Sequence, residues 1–291
     1  MFKKEYVTEF LKKLPPALGA SLRHPGTALR NYFRSVKFFL DLATDELRYM
    51  YFKYPQTRHR EITDFVIGGY VFDLPDLPSF LFQWKEIMQD EIYRFEPSAE
   101  RPVIIDIGAN VGTSVLYFGT RFPDSVILAY EADPKIFGYL KRNVERNGIV
   151  RAELCNAAVF DRDGEISFAP DGADGGRITP GTAGETVPCA DIRGILGRFE
   201  SVDMLKIDVE GAEGEIVPAA GELLARVKNI FIEFHQRRGG PDRLPEILTV
   251  LGRAGFTYEI FNTQGLPAAP FVREHDHPVF SQQLEIFARK R

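Results

Sequence analysis

Short apolar runs alternate with longer amphipathic segments from Pro102 to the end of the chain. The apolar runs predict strands at 103–107, 126–130, 153–159, 203–209, 229–234, 256–261 and 283–288. Apolar residues at three- and four-residue spacing predict helices between them, at 112–121, 134–147, 213–226 and 242–254. This alternation is typical of a mostly parallel sheet with helices on both faces. The sequence therefore predicts an α/β fold for this part of the chain.

Three other segments have different patterns. Residues 1–60 read as helices with an excess of Lys and Arg, which indicates either a solvated helical face or a surface for an anionic partner. Two short strands are expected around Gly68-Gly69, followed by a helix within 80–95. Residues 160–190 are rich in turn residues and predict a hairpin at Asp163-Gly164, followed by a Gly-rich loop.

The first strand of the alternating region runs into a glycine-containing turn, "VIIDIGANVGTSVLYFG". In a doubly wound sheet, ligands bind at the carboxyl ends of the strands, where this turn falls. Gly108 can form a tight turn, and Gly112 is expected to let a ligand approach the next helix. Asn110 and Thr113 can add side-chain hydrogen bonds. Asp106 is expected to attract a cation and to repel a pyrophosphate.

The motifs that the turn lacks limit the kinds of ligand that it can bind. The turn lacks the Gly-x-Gly-x-x-Gly spacing of dinucleotide-binding proteins and the Gly-Lys-Ser/Thr of a P-loop. Glu131 ends the second strand, roughly 20 residues after Gly112, where an acidic residue can hold two ribose hydroxyls. A ligand with a ribose, a carboxylate and an ammonium group but no phosphate fits these residues. S-adenosylmethionine is such a ligand.

Five segments, in this order, resemble the FkbM-type methyltransferases: "VIIDIGANVGTSVLYFG", "YEADPKIFGYLKRNVERNG", "LCNAAVFDRDGEISF", "DMLKIDVEGAEGEIV" and "IFIEFH". The resemblance covers about residues 85–290. It implies a doubly wound, Rossmann-like sheet of seven strands with the last strand reversed, and S-adenosylmethionine-dependent transfer of a methyl group, usually to oxygen. Residues 1–85 then form an N-terminal, mainly helical extension with a hairpin, and residues 86–291 form the methyltransferase domain.

The resemblance also suggests where the adenine and the acceptor bind. Ala132 follows Glu131, and Asn156 and Ala157 follow the third strand; Ala157 stands where many class I methyltransferases have an acidic residue. Backbone groups near Asn156 are therefore expected to read the adenine. The acceptor is expected to be a hydroxyl of a sugar, a glycan or a secondary metabolite.

Four side chains at the ends of the fourth and fifth strands are candidates for chemistry. They are Asp208, Glu210, Glu233 and His235. Methyl transfer to a hydroxyl needs an aligned acceptor and a group that takes its proton. His235 is expected to be that base, uncharged at neutral pH, with Asp208 and Glu210 shaping the charge; a purely structural role for the histidine is the alternative. No metal is assigned, although a divalent ion between Asp208, Glu233 and His235 is chemically reasonable.

Other charged residues have simpler interpretations. Lys206 is expected to pair with a carboxylate or to reach an edge of the sheet. Glu213 and Glu215 are interpreted as solvated residues in the first turn of a helix. Glu210-Gly211 could also simply start that helix, as the alternative to a role of Glu210 in the site. His275 and His277 are interpreted as part of an exposed turn.

Composition limits the partners. The 291 residues carry a net charge of −5, which argues against nucleic acid as the main partner. The two cysteines exclude a disulfide framework and fit a reducing, cytoplasmic location. No apolar run is long enough for a transmembrane helix. A homodimer formed through the N-terminal helices is the other partner considered.

Two other functions remain open at this stage. A nicotinamide-dependent oxidoreductase fits poorly, because the dinucleotide motif and a Tyr-x-x-x-Lys pair are missing. A non-catalytic cofactor-binding assembly protein is the second alternative. Asp208, Glu210 and His235 beside the cofactor motifs favour an enzyme.

Overall fold

The structure, a computed structural model, describes residues 58–172, 175–178, 184–265, 272 and 279–290. The chain divides into two compact units, Met1–Glu61 with Asp76–Ile92 and Ile62–Pro75 with Tyr93–Arg291. The helices predicted for the first 57 residues, and a dimer formed through them, lie outside the described residues. The expected domain boundary after residue 85 stays a prediction.

The described part of the first unit is mainly helical. Helix α1 spans Leu77–Gln83 and continues into a π-helical turn, Trp84–Gln89. Asp76 precedes the helix, where its carboxylate accepts a hydrogen bond from the Ser79 hydroxyl at 2.7 Å and pairs with Arg58 at 2.6 Å. The helix predicted within 80–95 is therefore confirmed as far as Gln89.

The second unit begins with a hairpin of two antiparallel strands. Strand β1 spans Ile62–Ile67 and β2 spans Tyr70–Leu74. Gly68 and Gly69 connect them with φ angles of +55° and +84°, a region that favours glycine. The two strands predicted around these glycines are confirmed.

The remaining elements of the second unit alternate between strands and helices. The strands are β3 (Val103–Ile107), β4 (Val126–Tyr130), β5 (Ala152–Cys155), β6 (Ala158–Phe160), β7 (Gly164–Ala169), β8 (Arg177–Ile178), β9 (Glu185–Asp191), β10 (Val202–Ile207), β11 (Val227–Arg237), β12 (Thr257–Asn262) and β13 (Phe280–Arg289). The helices are α2 (Thr113–Arg121), α3 (Pro134–Arg146), α4 (Ile192–Gly197), α5 (Glu213–Ala220) and α6 (Leu244–Arg253). Among the described residues, no helix is long and apolar enough to cross a membrane.

Seven of these strands form the main sheet, in the order β12-β13-β11-β10-β3-β4-β5. Strand β13 runs antiparallel to both of its neighbours, and the other adjacent pairs are parallel. The expected α/β class, with seven strands and a reversed last strand, is confirmed. Because the chain builds outward from β3 in one direction and from β10 in the other, the carboxyl ends of β3 and β10 form the switch point where ligands bind.

Both faces of the central strands of the main sheet are buried. Ile105 and Ile107 of β3 belong to a cluster that also contains Ile216 of α5 and Ile247 of α6. On the opposite face, the Phe231 ring of β11 lies 4.9 Å from the Tyr93 ring and 5.1 Å from the Phe287 ring. This two-sided burial explains why the central strands read as continuous apolar runs.

A second, four-stranded sheet replaces the hairpin expected at Asp163-Gly164. Its order is β6-β9-β7-β8, so β9 lies between the two strands that were predicted to pair. Strand β9 runs parallel to β6 and antiparallel to β7. The hairpin prediction is wrong because a strand from later in the chain supplies the pairing that a local turn suggested.

Two predicted elements are interrupted. The strand expected at 153–159 divides at Asn156-Ala157 into β5 of the main sheet and β6 of the second sheet. The helix expected at 213–226 ends at Ala220 and continues as a 3₁₀ helix, Gly221–Arg226. Gly221 has a φ of +52°, which an α-helix does not accommodate.

Candidate active site

The turn after β3 packs against the end of β10. Gly108 has a φ of +85°, and a Cβ atom there would lie 1.7 Å from the backbone oxygen of Asp208. The amides of Gly108 and Ala109 both donate to the Tyr130 carbonyl at 2.9 Å. The turn is thus fixed between the ends of two strands, and only glycine fits at position 108.

Gly112 has a different structural reason from the one expected. Its φ is +95°, and a Cβ atom there would lie 2.9 Å from Leu140 Cδ1 of α3. The residue therefore permits close packing of two helices, whereas its place in the turn predicted that it lets a ligand approach. Its expected role in cofactor binding stays a prediction.

Glu131 lies just beyond β4, beside this turn. Its carboxylate accepts hydrogen bonds from the amides of Asn110 and Asp133, both at 2.9 Å. Burial raises the pKa of Glu131 to about 7 despite these two bonds. Each carboxylate oxygen retains a free acceptor position, since one oxygen can accept two hydrogen bonds. The carboxylate is oriented by the backbone and can still accept from a diol.

Asn110 adopts a left-handed conformation, which asparagine tolerates better than most other residues with a side chain. Its φ is +48°, and its side-chain oxygen accepts from the Val111 amide at 2.7 Å. Left-handed conformations of non-glycine residues concentrate at functional sites, because the surrounding structure must stabilise them. Here the conformation directs the Asn110 amide at Glu131.

The end of β5 contributes the next part of the crevice. The Asn156 side-chain amide donates to the carbonyls of Glu131 and Ala132, at 2.9 and 3.3 Å. Asn156, Ala132 and Ala157 are partly exposed. The position where the chain leaves the main sheet is therefore tied to the loop that carries Glu131.

A buried ion pair stabilises the turn between β3 and α2. Lys206 Nζ lies 3.3 Å from Asp106 Oδ1 and 3.4 Å from Asp208 Oδ2, and it donates to the Gly108 carbonyl at 2.8 Å. Ser114 donates to the other oxygen of Asp106. The two carboxylates outweigh burial and raise the pKa of Lys206, which keeps it charged. Pairing of Lys206 with a carboxylate is confirmed.

Asp106 and Thr113 lie deeper than expected. Asp106 has no exposed surface, so its carboxylate supports the turn from inside and does not face the crevice. Thr113 is buried at the start of α2. Direct contact of either side chain with a cofactor stays a prediction.

His235 is the centre of a cluster of carboxylates at the ends of β10 and β11. The ring is 2% exposed, and its Nε2 lies 3.4 Å from Glu233 Oε1 and 3.7 Å from Glu210 Oε2. Its Nδ1 lies 3.2 Å from Glu213 Oε1. Asp208 belongs to the same group, because one of its carboxylate oxygens lies within 4.8 Å of a carboxylate oxygen of Glu233 and of a ring nitrogen of His235. The four candidates from the sequence are thus brought together.

Glu213 corrects an expectation. It was interpreted as a solvated residue, but it has no exposed surface. Its carboxylate accepts from the amides of Val209 and Gly211, at 3.2 and 3.1 Å, as well as facing the His235 ring. It therefore ties the loop after β10 to the histidine. Glu215, in contrast, has a 36% exposed side chain that lies 3.6 Å from Arg243.

The electrostatics of the cluster also correct the expected charge of His235. Burial lowers the pKa of its imidazole, but the nearby carboxylates of Glu210, Glu213 and Glu233 raise it well above its usual value. The ring is therefore not the uncharged base expected at neutral pH. Burial raises the pKa of Glu210 well above its usual value and that of Asp208 to about 7.

Two further features of this region were not found from the sequence. Glu285 lies opposite Glu233 in the β11–β13 register, and burial together with Glu233 raises its pKa to about 7. A cavity of about 210 Å³ opens beside His235, with Phe160, Phe234 and Arg237 among its walls. Only the register of the reversed strand brings Glu285 to the site, and no local motif marks it.

His275 and His277 lie outside the described residues.

The strand order and the residues at the switch point define a class of protein. A seven-stranded sheet with a reversed last strand, a glycine turn after β3 and an acidic residue after β4 is the Rossmann-like arrangement of methyltransferases. The chain belongs to the FkbM methyltransferase family, since the methyltransferase FkbM domain matches residues 106–258.

Curated relatives agree with this assignment. Methyltransferase 1 of Beauveria bassiana is 25% identical over 185 residues, which cover 54% of this chain and 74% of the relative. The 2-O-methyltransferase NoeI of Sinorhizobium fredii is 26% identical over 167 residues, covering 50% and 68% of the two chains. The 31-O-demethyl-FK506 methyltransferase FkbM of Streptomyces tacrolimicus is 27% identical over 217 residues, covering 60% and 81%. The protein is accordingly a methyltransferase.

Proposed function

We propose that this methyltransferase uses S-adenosylmethionine to methylate a hydroxyl group on a sugar, a glycan or a secondary metabolite. The observation that carries the proposal is the carboxylate of Glu131. It stands at the end of β4, is oriented by two backbone amides and has acceptor positions left for a ribose diol. The family and the O-methyltransferases among its relatives support oxygen as the atom methylated.

The residues around Glu131 fit the rest of the cofactor. The turn of Gly108, Asn110 and Gly112 is assigned to the amino-acid part, with Asp106 and Thr113 supporting it from below. Ala132, Asn156 and Ala157 are assigned to the adenine. When bound, S-adenosylmethionine supplies a sulfonium methyl group, whose bond to sulfur breaks as a carbon–oxygen bond forms and the electron pair stays on sulfur.

Asp208, Glu210 and His235 are assigned to the acceptor side. They lie at the ends of β10 and β11, at the same edge of the sheet as the turn after β3. The carboxylate of Asp208, whose pKa is about 7, is assigned to take the proton that the acceptor hydroxyl loses, and Glu210 and His235 shape the charge around it. The cavity beside His235 offers apolar walls and two arginines, Arg237 and Arg243, to the rest of the acceptor.

A pair of titrations tests the choice of cofactor. Calorimetry with the full-length protein is expected to show one site for S-adenosylmethionine and no binding of NAD. Preference for NAD would support a nicotinamide-dependent oxidoreductase and overturn the proposal.

Transfer of a labelled methyl group to a panel of hydroxylated sugars and metabolites tests the reaction. We expect label in an ether bond, and His235→Ala is expected to slow transfer with little change in cofactor affinity, because the ring no longer lies between the carboxylates of Glu210 and Glu233. Cofactor binding without transfer to any oxygen would favour a non-catalytic assembly protein. A loss in His235→Ala that merely follows cofactor affinity would place His235 in the scaffold.

A further inference from the structure

The acidic cluster around His235 contains a set of side chains that matches a metal site. Asp208 follows β10, and Glu233 and His235 lie on the neighbouring strand β11. One ligand atom from each lies within 4.8 Å of the other two. We propose that Asp208, Glu233 and His235 bind a divalent cation that prefers oxygen and imidazole ligands, with Mg²⁺ and Mn²⁺ as the matching ions.

The first argument is the charge of the cluster. Glu210 lies 3.7 Å from the His235 ring, Glu213 faces its other nitrogen and Glu285 lies opposite Glu233, so five carboxylates, with Asp208 and Glu233, gather near one imidazole. Lys206 pairs with Asp208, but it is shared with the buried Asp106. Like charges gathered in a partly buried site are costly, and an added positive charge lowers that cost. A divalent cation would supply such a charge.

The second argument is the direction of the His235 ring. Its Nδ1 lies 3.2 Å from Glu213 Oε1, a carboxylate with no exposed surface. Metal-binding histidines commonly donate their other nitrogen to a carboxylate in this way, which fixes the tautomer and turns the free nitrogen toward the metal. Glu213 is itself held by the amides of Val209 and Gly211, so the ring cannot easily rotate.

The third argument is the state of the other ring nitrogen. His235 Nε2 is buried, points toward Glu233 and Glu210, and makes no hydrogen bond to the part of the chain that the structure describes. With Nδ1 donating to Glu213, Nε2 presents a lone pair to carboxylates, which is unfavourable without a cation between them. Either a second proton or a metal ion resolves this contact, and an experiment distinguishes the two.

The proposed ion deepens the proposed function, on which only its role in the reaction rests. Asp208, Glu233 and His235 would hold the ion, which would supply a positive charge that lowers the pKa of an acceptor hydroxyl. Ion binding itself requires neither S-adenosylmethionine nor the acceptor.

Mn²⁺ binding to the full-length protein, freed of metals with a chelator, tests the site without any methyl transfer. We follow the electron paramagnetic resonance of free Mn²⁺ during titration and expect one bound ion per chain, displaced by excess Mg²⁺. Glu213→Gln is expected to weaken binding by about 10–100-fold, the usual effect of losing the partner of a metal-bound histidine. Asp208→Asn is expected to weaken it at least as much. Glu145→Gln, a change at an exposed carboxylate of α3, is the matched control and should bind normally.

Spectroscopy of the unmodified protein keeps the test decisive even if a variant fails to fold. Pulsed electron paramagnetic resonance of bound Mn²⁺ is expected to show coupling to an imidazole nitrogen. Absence of one-to-one binding, or bound Mn²⁺ without that coupling, would overturn the metal site and leave a proton on Nε2 as the resolution. Calorimetry with S-adenosylmethionine separately decides the proposed function, so the two can fail independently.

Discussion

At the scale of single residues, Glu131 is the position at which the cofactor assignment is tested most directly. Replacing Glu131 with Ala removes the carboxylate that faces the crevice. We expect S-adenosylmethionine binding to weaken by about 1.5–3 kcal/mol, the usual size of a hydrogen bond to a charged group. Calorimetry measures the change, and Glu145→Ala, at an exposed carboxylate of α3, serves as the control. Equal affinity in Glu131→Ala and the unmodified protein would reject the ribose assignment.

The raised pKa of Glu131 predicts a pH dependence. The pKa is about 7 in the ligand-free protein, and the charged form is the better acceptor for ribose hydroxyls. Cofactor affinity should therefore fall as the pH decreases from 8 to 6. Glu131→Gln should be weak but nearly independent of pH over this range. Titrations at several pH values check both, and an identical pH dependence in the variant would assign the effect to another group.

The raised pKa of Glu131 also makes the free energy of unfolding depend on pH. The dependence is opposite to that of a carboxylate whose pKa is lowered by an ion pair. The folded protein holds a proton on Glu131 up to about pH 7, whereas the unfolded chain loses it near the usual pKa of 4.5. Between these two pH values the folded protein therefore binds more protons than the unfolded chain. The contribution of Glu131 to the free energy of unfolding therefore decreases as the pH rises through this range. Bound cofactor offsets the decrease, since it favours the charged form.

At the scale of elements, the two glycines of the β3–α2 turn should respond differently to substitution. Gly108→Ala brings a Cβ against the backbone of β10, which cannot move without disturbing the sheet. Gly112→Ala meets the end of the Leu140 side chain, which can shift. We expect Gly108→Ala to reduce the free energy of unfolding much more than Gly112→Ala, as measured by chemical denaturation. Equal losses would show that the strain of positive φ dominates at both positions.

One buried carboxylate contributes to the attachment of the β1–β2 hairpin to α3, beside the side chains of Asn143 and Asn147. Asp73 is 4% exposed, and it pairs with Arg142 at 3.0 Å and with Arg146 at 2.7 Å. Asn143 also exchanges two hydrogen bonds with the Asp73 backbone. Asp73→Ala should reduce the free energy of unfolding by about 1.5–3 kcal/mol, because charged hydrogen bonds are lost.

Asp64→Asn is a suitable comparison for Asp73→Ala, since the exposed carboxylate of Asp64 also contacts Arg146. Exposed pairs contribute little, so its loss should be below about 1 kcal/mol. Denaturation curves of the two variants measure the difference. Similar losses in both would mean that the hairpin is attached mainly by other contacts.

At the scale of the whole molecule, cofactor binding should stabilise the second unit against heat. A ligand that binds only the folded state at 100 times its dissociation constant adds about 2.7 kcal/mol to the free energy of unfolding. We expect S-adenosylmethionine to raise the melting temperature accordingly, and NAD at the same concentration to leave it unchanged. Scanning calorimetry measures both, and an equal rise with NAD would contradict the cofactor assignment.

Much of the fold could be predicted from the sequence because its signals are local. The apolar runs mark the strands, and Gly108 and Glu131 lie just after strands, as predicted. Partners far apart in the chain were not predictable in this way. Glu213 reads as a helix-start residue until the Val209–Gly211 loop folds over it, and Glu285 reaches the site only through its register with Glu233. The false hairpin at Asp163-Gly164 failed for the same reason, since β9 pairs from a distance.

The pairing of β3 with β10 has a consequence for how the protein folds as it is synthesised. Strands β3, β4 and β5 follow one another closely, and they carry Gly108, Glu131 and Asn156. Strands β10 and β11, with Asp208 and His235, leave the ribosome much later. Contacts between distant parts of a chain form slowly, because a long loop must close first. The half of the crevice assigned to the cofactor can therefore organise before the half assigned to the acceptor exists. Lys206 of β10 can form its contacts with Asp106 and the Gly108 carbonyl only once both halves are present.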